Sequence, residues 1–174
     1  MDTQALPPQW LVMPGELFVS GGPGRVSTLL GSCVALVVWH PGVRVGGLCH
    51  YLLPARARRL GQPRDGQYAD EALDMMAEWL ARHGVALPSC QAWCFGGAQH
   101  LPLNAPGIAR LPEGLGFDIG RRNVEAADQL VRQHGLQLLE HDLGGEWPRH
   151  VALDLQTGQV SCRVQRGVVG GTHA

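Results

Sequence analysis

Residues 25–53 read RVSTLLGSCVALVVWHPGVRVGGLCHYLL, and the fold turns on them. Val34 to Trp39 is an unbroken apolar run rich in β-branched residues, the pattern of a strand buried on both faces. His40-Pro41-Gly42-Val43 is a turn signal. Arg44 to Leu53 reads as the returning strand, stopped by Pro54. Upstream, Arg25 to Leu30 reads as a further strand that runs into Gly31-Ser32-Cys33. A turn centred on Pro41-Gly42 places Cys33 directly opposite His50 on one face of the hairpin, with Cβ atoms roughly 4.5–5.5 Å apart.

Before this hairpin, Leu17 to Ser20 reads as a short strand and residues 1–15 as a loose lead-in broken by Pro7-Pro8 and Pro14-Gly15. After it, residues 55–67 are polar and basic, the mark of an exposed loop. Tyr68 to His83 reads as a helix, with Ala69, Ala72, Leu73, Met76 and Leu80 on one face at steps of three and four. Asp70, Glu71 and Asp74 suit the positive end of its dipole, and Gly84 suits its end. Residues 91–95 read as a strand entering Gly96-Gly97-Ala98, and a proline-containing loop extends to about Phe117. Asn123 to His134 reads as a second helix. Strands over 136–141, 149–155 and 160–164 complete the chain, the last two joined as a hairpin through Gln156-Thr157-Gly158-Gln159. Six or seven strands in hairpin order with two separate helices predict an α+β fold, a layered sandwich of mostly antiparallel strands. One domain over residues 1–174 is expected, with 1–13 and 166–174 as loose tails.

The 174 residues suit a single core. A net charge of -1 offers no electrostatic case for nucleic acid. The longest apolar stretch, Cys33 to Trp39, falls far short of the roughly 20 residues of a membrane span. No basic-then-apolar leader opens the chain, so the cytoplasm is expected, where the five cysteines stay reduced. Cys90 and Cys94 lack the spacing and the second compact pair of a zinc site, so neither a metal nor a cofactor is expected. Cys49, next to His50 on a strand, points to the opposite face and reads as core.

The chemistry concentrates at Cys33 and His50. A cysteine in an apolar strand ordinarily fills a core, but a thiol beside an imidazole can attack an amide carbonyl. The imidazolium then protonates the departing amine and later activates water against the thioester. Gly31-Ser32 permits a tight backbone whose N–H groups can face an oxyanion. The hydroxyls of Ser27 and Thr28 are both candidates to orient the imidazole.

Ser27-Thr28-Leu29-Leu30-Gly31-Ser32-Cys33-Val34-Ala35 resembles the nucleophile motif of the CheD family, and His50-Tyr51-Leu52-Leu53-Pro54 its histidine motif. Tyr68-Ala69-Asp70, Phe95-Gly96-Gly97-Ala98, Ile119-Gly120-Arg121-Arg122-Asn123-Val124 and Asp142-Leu143-Gly144-Gly145 are similar to its later signatures, in order. The resemblance runs from about Pro14 to Val164. It implies deamidation, and sometimes methyl-ester hydrolysis, of glutamine side chains on methyl-accepting chemotaxis receptors. It also implies a Cys-His-Thr site on a sandwich like that of bacterial toxin deamidases. Carried onto this chain, Cys33 is the nucleophile, His50 the base, and Ser27 or Thr28 the third member, while Gly96-Gly97-Ala98 shapes the substrate cleft. A CheC-type phosphatase is the further partner implied. Arg56, Arg58, Arg59 and Arg64 read first as a solvated loop and second as a contact for acidic receptor helices. A transglutaminase would share the thioester, and a non-catalytic adaptor for receptors or the phosphatase would share the surface.

Overall fold

The computed structural model describes residues 6–99 and 115–166. In chain order the elements are β1 (Gln9–Leu11), β2 (Leu17–Gly21), β3 (Arg25–Leu30), β4 (Val34–His40), β5 (Val45–Tyr51), α1 (Ala69–Arg82), β6 (Gln91–Gly96), α2 (Leu115–Gln133), β7 (Gln137–Leu143), β8 (Arg149–Asp154) and β9 (Val160–Val164). They form two sheets, one in the order β1-β3-β8-β9 and the other β2-β5-β4-β6-β7. Only β1 with β3 and β6 with β7 pair in parallel; the other neighbours are antiparallel. The expected α+β sandwich is the fold observed, with more strands than the sequence suggested.

Three layers follow from the side-chain alternation of the larger sheet. Ala35, Val37, Leu48 and Phe95 face the smaller sheet, meeting Val26, Leu30, Val151 and Leu153. Val34, Leu36, Val38, Cys49 and Tyr51 face the other way, under Leu73, Met76 and Leu80 of α1 and Ala127 and Leu130 of α2. Central strands covered on both sides need apolar residues at every position, which is why β4 reads VALVVWH.

Helix α1 matches its sequence pattern. Its first-turn Glu71 is buried and takes a bidentate pair from Arg56 at 2.7 and 3.0 Å, and its carboxylate also accepts the Asp65 N–H. Arg64 pairs with Glu78 and Asp74 of the same helix. Two of the four arginines in the basic loop are therefore committed to α1 rather than to solvent.

Three expectations are corrected. The lead-in is not loose throughout, because Gln9–Leu11 pairs with Arg25–Ser27 as a strand. Its alternation of exposed Gln9, Leu11 and Met13 with more buried Trp10 and Val12 was a readable period-two signal. Helix α2 begins at Leu115, eight residues before the expected start at Asn123. Glycines argue against helix by propensity, but Gly120 is where the helix lies flush on the chain, since a Cβ there would sit 2.6 Å from the Ala98 carbonyl oxygen. Tertiary contact thus overrides propensity.

The third correction concerns the central hairpin. Its turn is four residues long, Pro41–Arg44, with Arg44 in the left-handed region at φ 55° and its N–H bonded to the His40 carbonyl at 2.8 Å. His50 therefore lies opposite Ala35, not Cys33. The slip is two residues, so parity survives. Cys33 and His50 stay on the same face but become diagonal neighbours, a relation with strand positions about 7–8 Å apart.

Candidate active site

Cys33 sits in the bend just before β4, partly buried, and packs against the core between the sheets. His50 is near the end of β5 and turns into the same space, where it is 2% exposed. From the opposing sheet, fully buried Thr28 of β3 meets it, with Oγ1 2.7 Å from His50 Nδ1. The same Oγ1 lies 2.7 Å from the Val12 carbonyl oxygen. Ser27 neighbours Thr28 on the strand, so its side chain leaves from the other face of the smaller sheet. The structure therefore brings Thr28, and not Ser27, to the imidazole.

These two short contacts assign the histidine tautomer. The threonine hydroxyl has one proton, and a carbonyl oxygen can only accept. The Oγ1–H must therefore donate to Val12 C=O, which leaves Oγ1 to accept from Nδ1–H. With the proton on Nδ1, the lone pair is on Nε2. Nε2 is buried and has no hydrogen-bond partner among the described residues. The carbonyl that completes this chain comes from Val12, in the segment expected to be loose.

Burial sets the charge state. It pushes the Cys33 thiol up to about 11 and the His50 imidazole down to about 4, with the Val12 carbonyl and the Glu16 carboxylate acting weakly the other way. At neutral pH the resting pair is therefore a neutral thiol and a neutral imidazole, not an ion pair. The lowered imidazole value also bears on stability. Between its ordinary 6.5 and about 4, the unfolded chain binds a proton at His50 that the folded chain refuses. Stability from this residue is therefore complete above pH 6.5 and lost as pH falls toward 4, by about 2 kcal/mol at pH 5. Urea unfolding at pH 7 and pH 5 checks this: wild type should lose that amount and His50→Gln should not. Equal losses in both proteins would assign the effect to other groups.

Glycines brace the cysteine from the neighbouring strand. The N–H of Gly97 donates to the Cys33 carbonyl at 2.8 Å and that of Ala98 to the Gly31 carbonyl at 2.9 Å. Gly96 has φ 115°, and a Cβ there would stand 2.3 Å from the Cys33 carbonyl oxygen, so only glycine lets β6 run this close. The Gly144 N–H in turn donates to the Gly96 carbonyl at 2.8 Å. The segments carrying Gly31, Ser32, Gly96, Gly97 and Ala98 thus lie side by side at one end of the larger sheet.

A groove of about 370 Å3 between α2 and β7, lined by Cys94, Val131, Leu138 and Leu143 among others, is on the helix-covered face and includes neither Cys33 nor His50. The Thr28–His50 hydrogen bond, rather than concavity, marks the candidate site. Among the described residues no cluster of three His, Cys, Asp or Glu side chains can hold a metal ion, and no helix is long and apolar enough to cross a membrane.

A two-sheet sandwich that holds an imidazole on a buried threonine hydroxyl, with a cysteine on the same face, defines a candidate hydrolase class. The family model described as CheD chemotactic sensory transduction matches residues 52–164, and the chain belongs to the CheD family. It is 40% identical over 152 residues to a Pseudomonas savastanoi protein called "Probable chemoreceptor glutamine deamidase CheD", covering 87% of this chain and 82% of that one. A Chromobacterium violaceum relative, "Probable chemoreceptor glutamine deamidase CheD 1", is 40% identical over 84% of this chain and 72% of its own. A relative from Methanococcus maripaludis is 34% identical over 87% of this chain and 92% of its own. The family-model match begins after Cys33 and His50, but a 152-residue alignment within 174 residues necessarily spans both.

Proposed function

We propose that this chain deamidates glutamine side chains of methyl-accepting chemotaxis receptors, with Cys33 as nucleophile, His50 as proton carrier and Thr28 as the group that orients it. The observation that carries the reading is the chain Nδ1–H to Oγ1–H to Val12 C=O, which leaves the Nε2 lone pair without a hydrogen-bond partner among the described residues, on the sheet face that also carries the partly buried Cys33. The names of the relatives supply the substrate class.

The proposed steps follow from that proton arrangement. Nε2 takes the Sγ proton as sulfur attacks the glutamine Cδ, so a neutral resting pair becomes charged only as the bond forms. The tetrahedral oxygen is held by backbone N–H groups of the Gly31–Cys33 turn. The imidazolium then protonates the amide nitrogen, the C–N bond breaks, and ammonia leaves a thioester. Water loses a proton to Nε2 and adds to the thioester. The thiolate departs and recovers the proton, leaving glutamate. Methyl-ester hydrolysis would follow the same steps with methanol as leaving group. A CheC-type phosphatase as partner rests on family resemblance alone.

The test is incubation with a receptor cytoplasmic fragment. Ammonia should appear in step with glutamine-to-glutamate conversion mapped by peptide mass. Incorporation of a labelled amine in preference to water would instead make the chain a transglutaminase. Binding of the fragment with no conversion would leave only the adaptor reading.

A further inference from the structure

We propose that Asn123 of α2 is a positioning residue that holds the Cys33 and His50 segments at their working separation; this rests on the deamidase reading above. Asn123 is fully buried. Its Nδ2 donates to the Ser32 carbonyl at 3.1 Å and to the Leu52 carbonyl at 2.7 Å. Its own backbone carbonyl accepts the Tyr51 hydroxyl at 2.8 Å. Ser32 immediately precedes Cys33, and Tyr51 and Leu52 immediately follow His50. One residue thus touches the chain beside both reacting groups without touching either.

The location answers a structural need. The last ladder pair of the hairpin is Val34 with Tyr51. Beyond it the second strand leaves, with the Leu52 and Leu53 N–H groups both turning to the Gln67 carbonyl. Cys33 lies on the unpaired side of that last pair, diagonal to His50. The Asn123 amide takes over where the ladder stops, its two N–H groups bridging a carbonyl on each side. Asparagine is a mediocre helix former, and burying an amide is costly unless it is bonded. Its Oδ1 is also buried without a partner among the described residues. An apolar residue would fill a purely structural position at less cost. An amide here is explained by the two carbonyls it holds.

The test compares Asn123→Leu, which keeps the number and branching of side-chain heavy atoms and removes both donors, with Asn123→Ser, which is too short to span both carbonyls. Each is assayed for ammonia release well below its own melting temperature, with Cys33→Ala alongside. Positioning predicts that kcat falls about 10- to 100-fold, as for a displacement near 1 Å at a reacting pair, while KM stays within about twofold. Wild-type kcat in a folded Asn123 variant, or a loss confined to KM, refutes the proposal while an inactive Cys33→Ala leaves the deamidase reading intact. An active Cys33→Ala refutes the reading beneath it. Should Asn123→Leu fail to fold, Asn123→Ser decides by the same criterion.

Discussion

Cys33→Ala is expected to lower ammonia release from a receptor fragment by at least about 10^4-fold, with the fold intact. Without the sulfur there is no thioester, and water held by His50 alone must attack an unactivated amide. Cys33 is only partly buried, in the bend before β4, and alanine removes a single sulfur atom, so the stability cost should be about 1 kcal/mol. His50→Ala should reduce the rate comparably, because a thiol pushed up to about 11 is almost wholly protonated at neutral pH without a base. The double variant should be no worse than Cys33→Ala, since the two groups act in one step and their effects do not add. Multiplying losses would mean that they act separately. Wild-type release from Cys33→Ala would end the nucleophile assignment, and with it every step through a thioester.

Thr28→Val carries the second large expected effect, and its contrast with Ser27→Ala gives it force. Valine matches threonine in shape and removes only the hydroxyl. His50 Nδ1–H and the Val12 carbonyl then lose the group that joins them. The imidazole is free to rotate or to carry its proton on Nε2, where it cannot serve as base. A partner that orients a reactive imidazole is typically worth about 10- to 100-fold in activity, and kcat should fall by that much. Two buried polar groups left poorly paired should also cost about 2 kcal/mol of stability, so the assay belongs well below the melting temperature. Thr28→Ser keeps the hydroxyl and should restore most of the rate. Ser27→Ala, on the other face of the strand, should stay within about twofold of wild type. A larger loss in Ser27→Ala than in Thr28→Val would reverse the assignment.

The basic loop gains a structural reading from the same accounting. Arg56 and Arg64 are held by carboxylates of α1, so the loop is fastened to the helix. Among the described residues Arg58 and Arg59 enter no salt bridge, and the Arg58 guanidinium donates to the Gln62 carbonyl.

Local pattern was enough for much of this molecule. The all-apolar run of β4 announced a strand covered on both faces, and the three- and four-residue steps of α1 announced a helix with one buried side. Strand parity also placed Cys33 and His50 on a common face, and that conclusion survived a two-residue error in register because alternation is built into the extended backbone. What parity cannot supply is distance. Turn length set the register, and it depended on Arg44 adopting a left-handed conformation that no neighbouring residue type demanded. The choice between Ser27 and Thr28, the recruitment of the Val12 carbonyl and the reach of Asn123 to both segments depended on sheets and a helix packing across the chain. Such contacts join residues 16, 22 and 91 positions apart, and no sequence periodicity spans those separations, so only the assembled layers could bring them together.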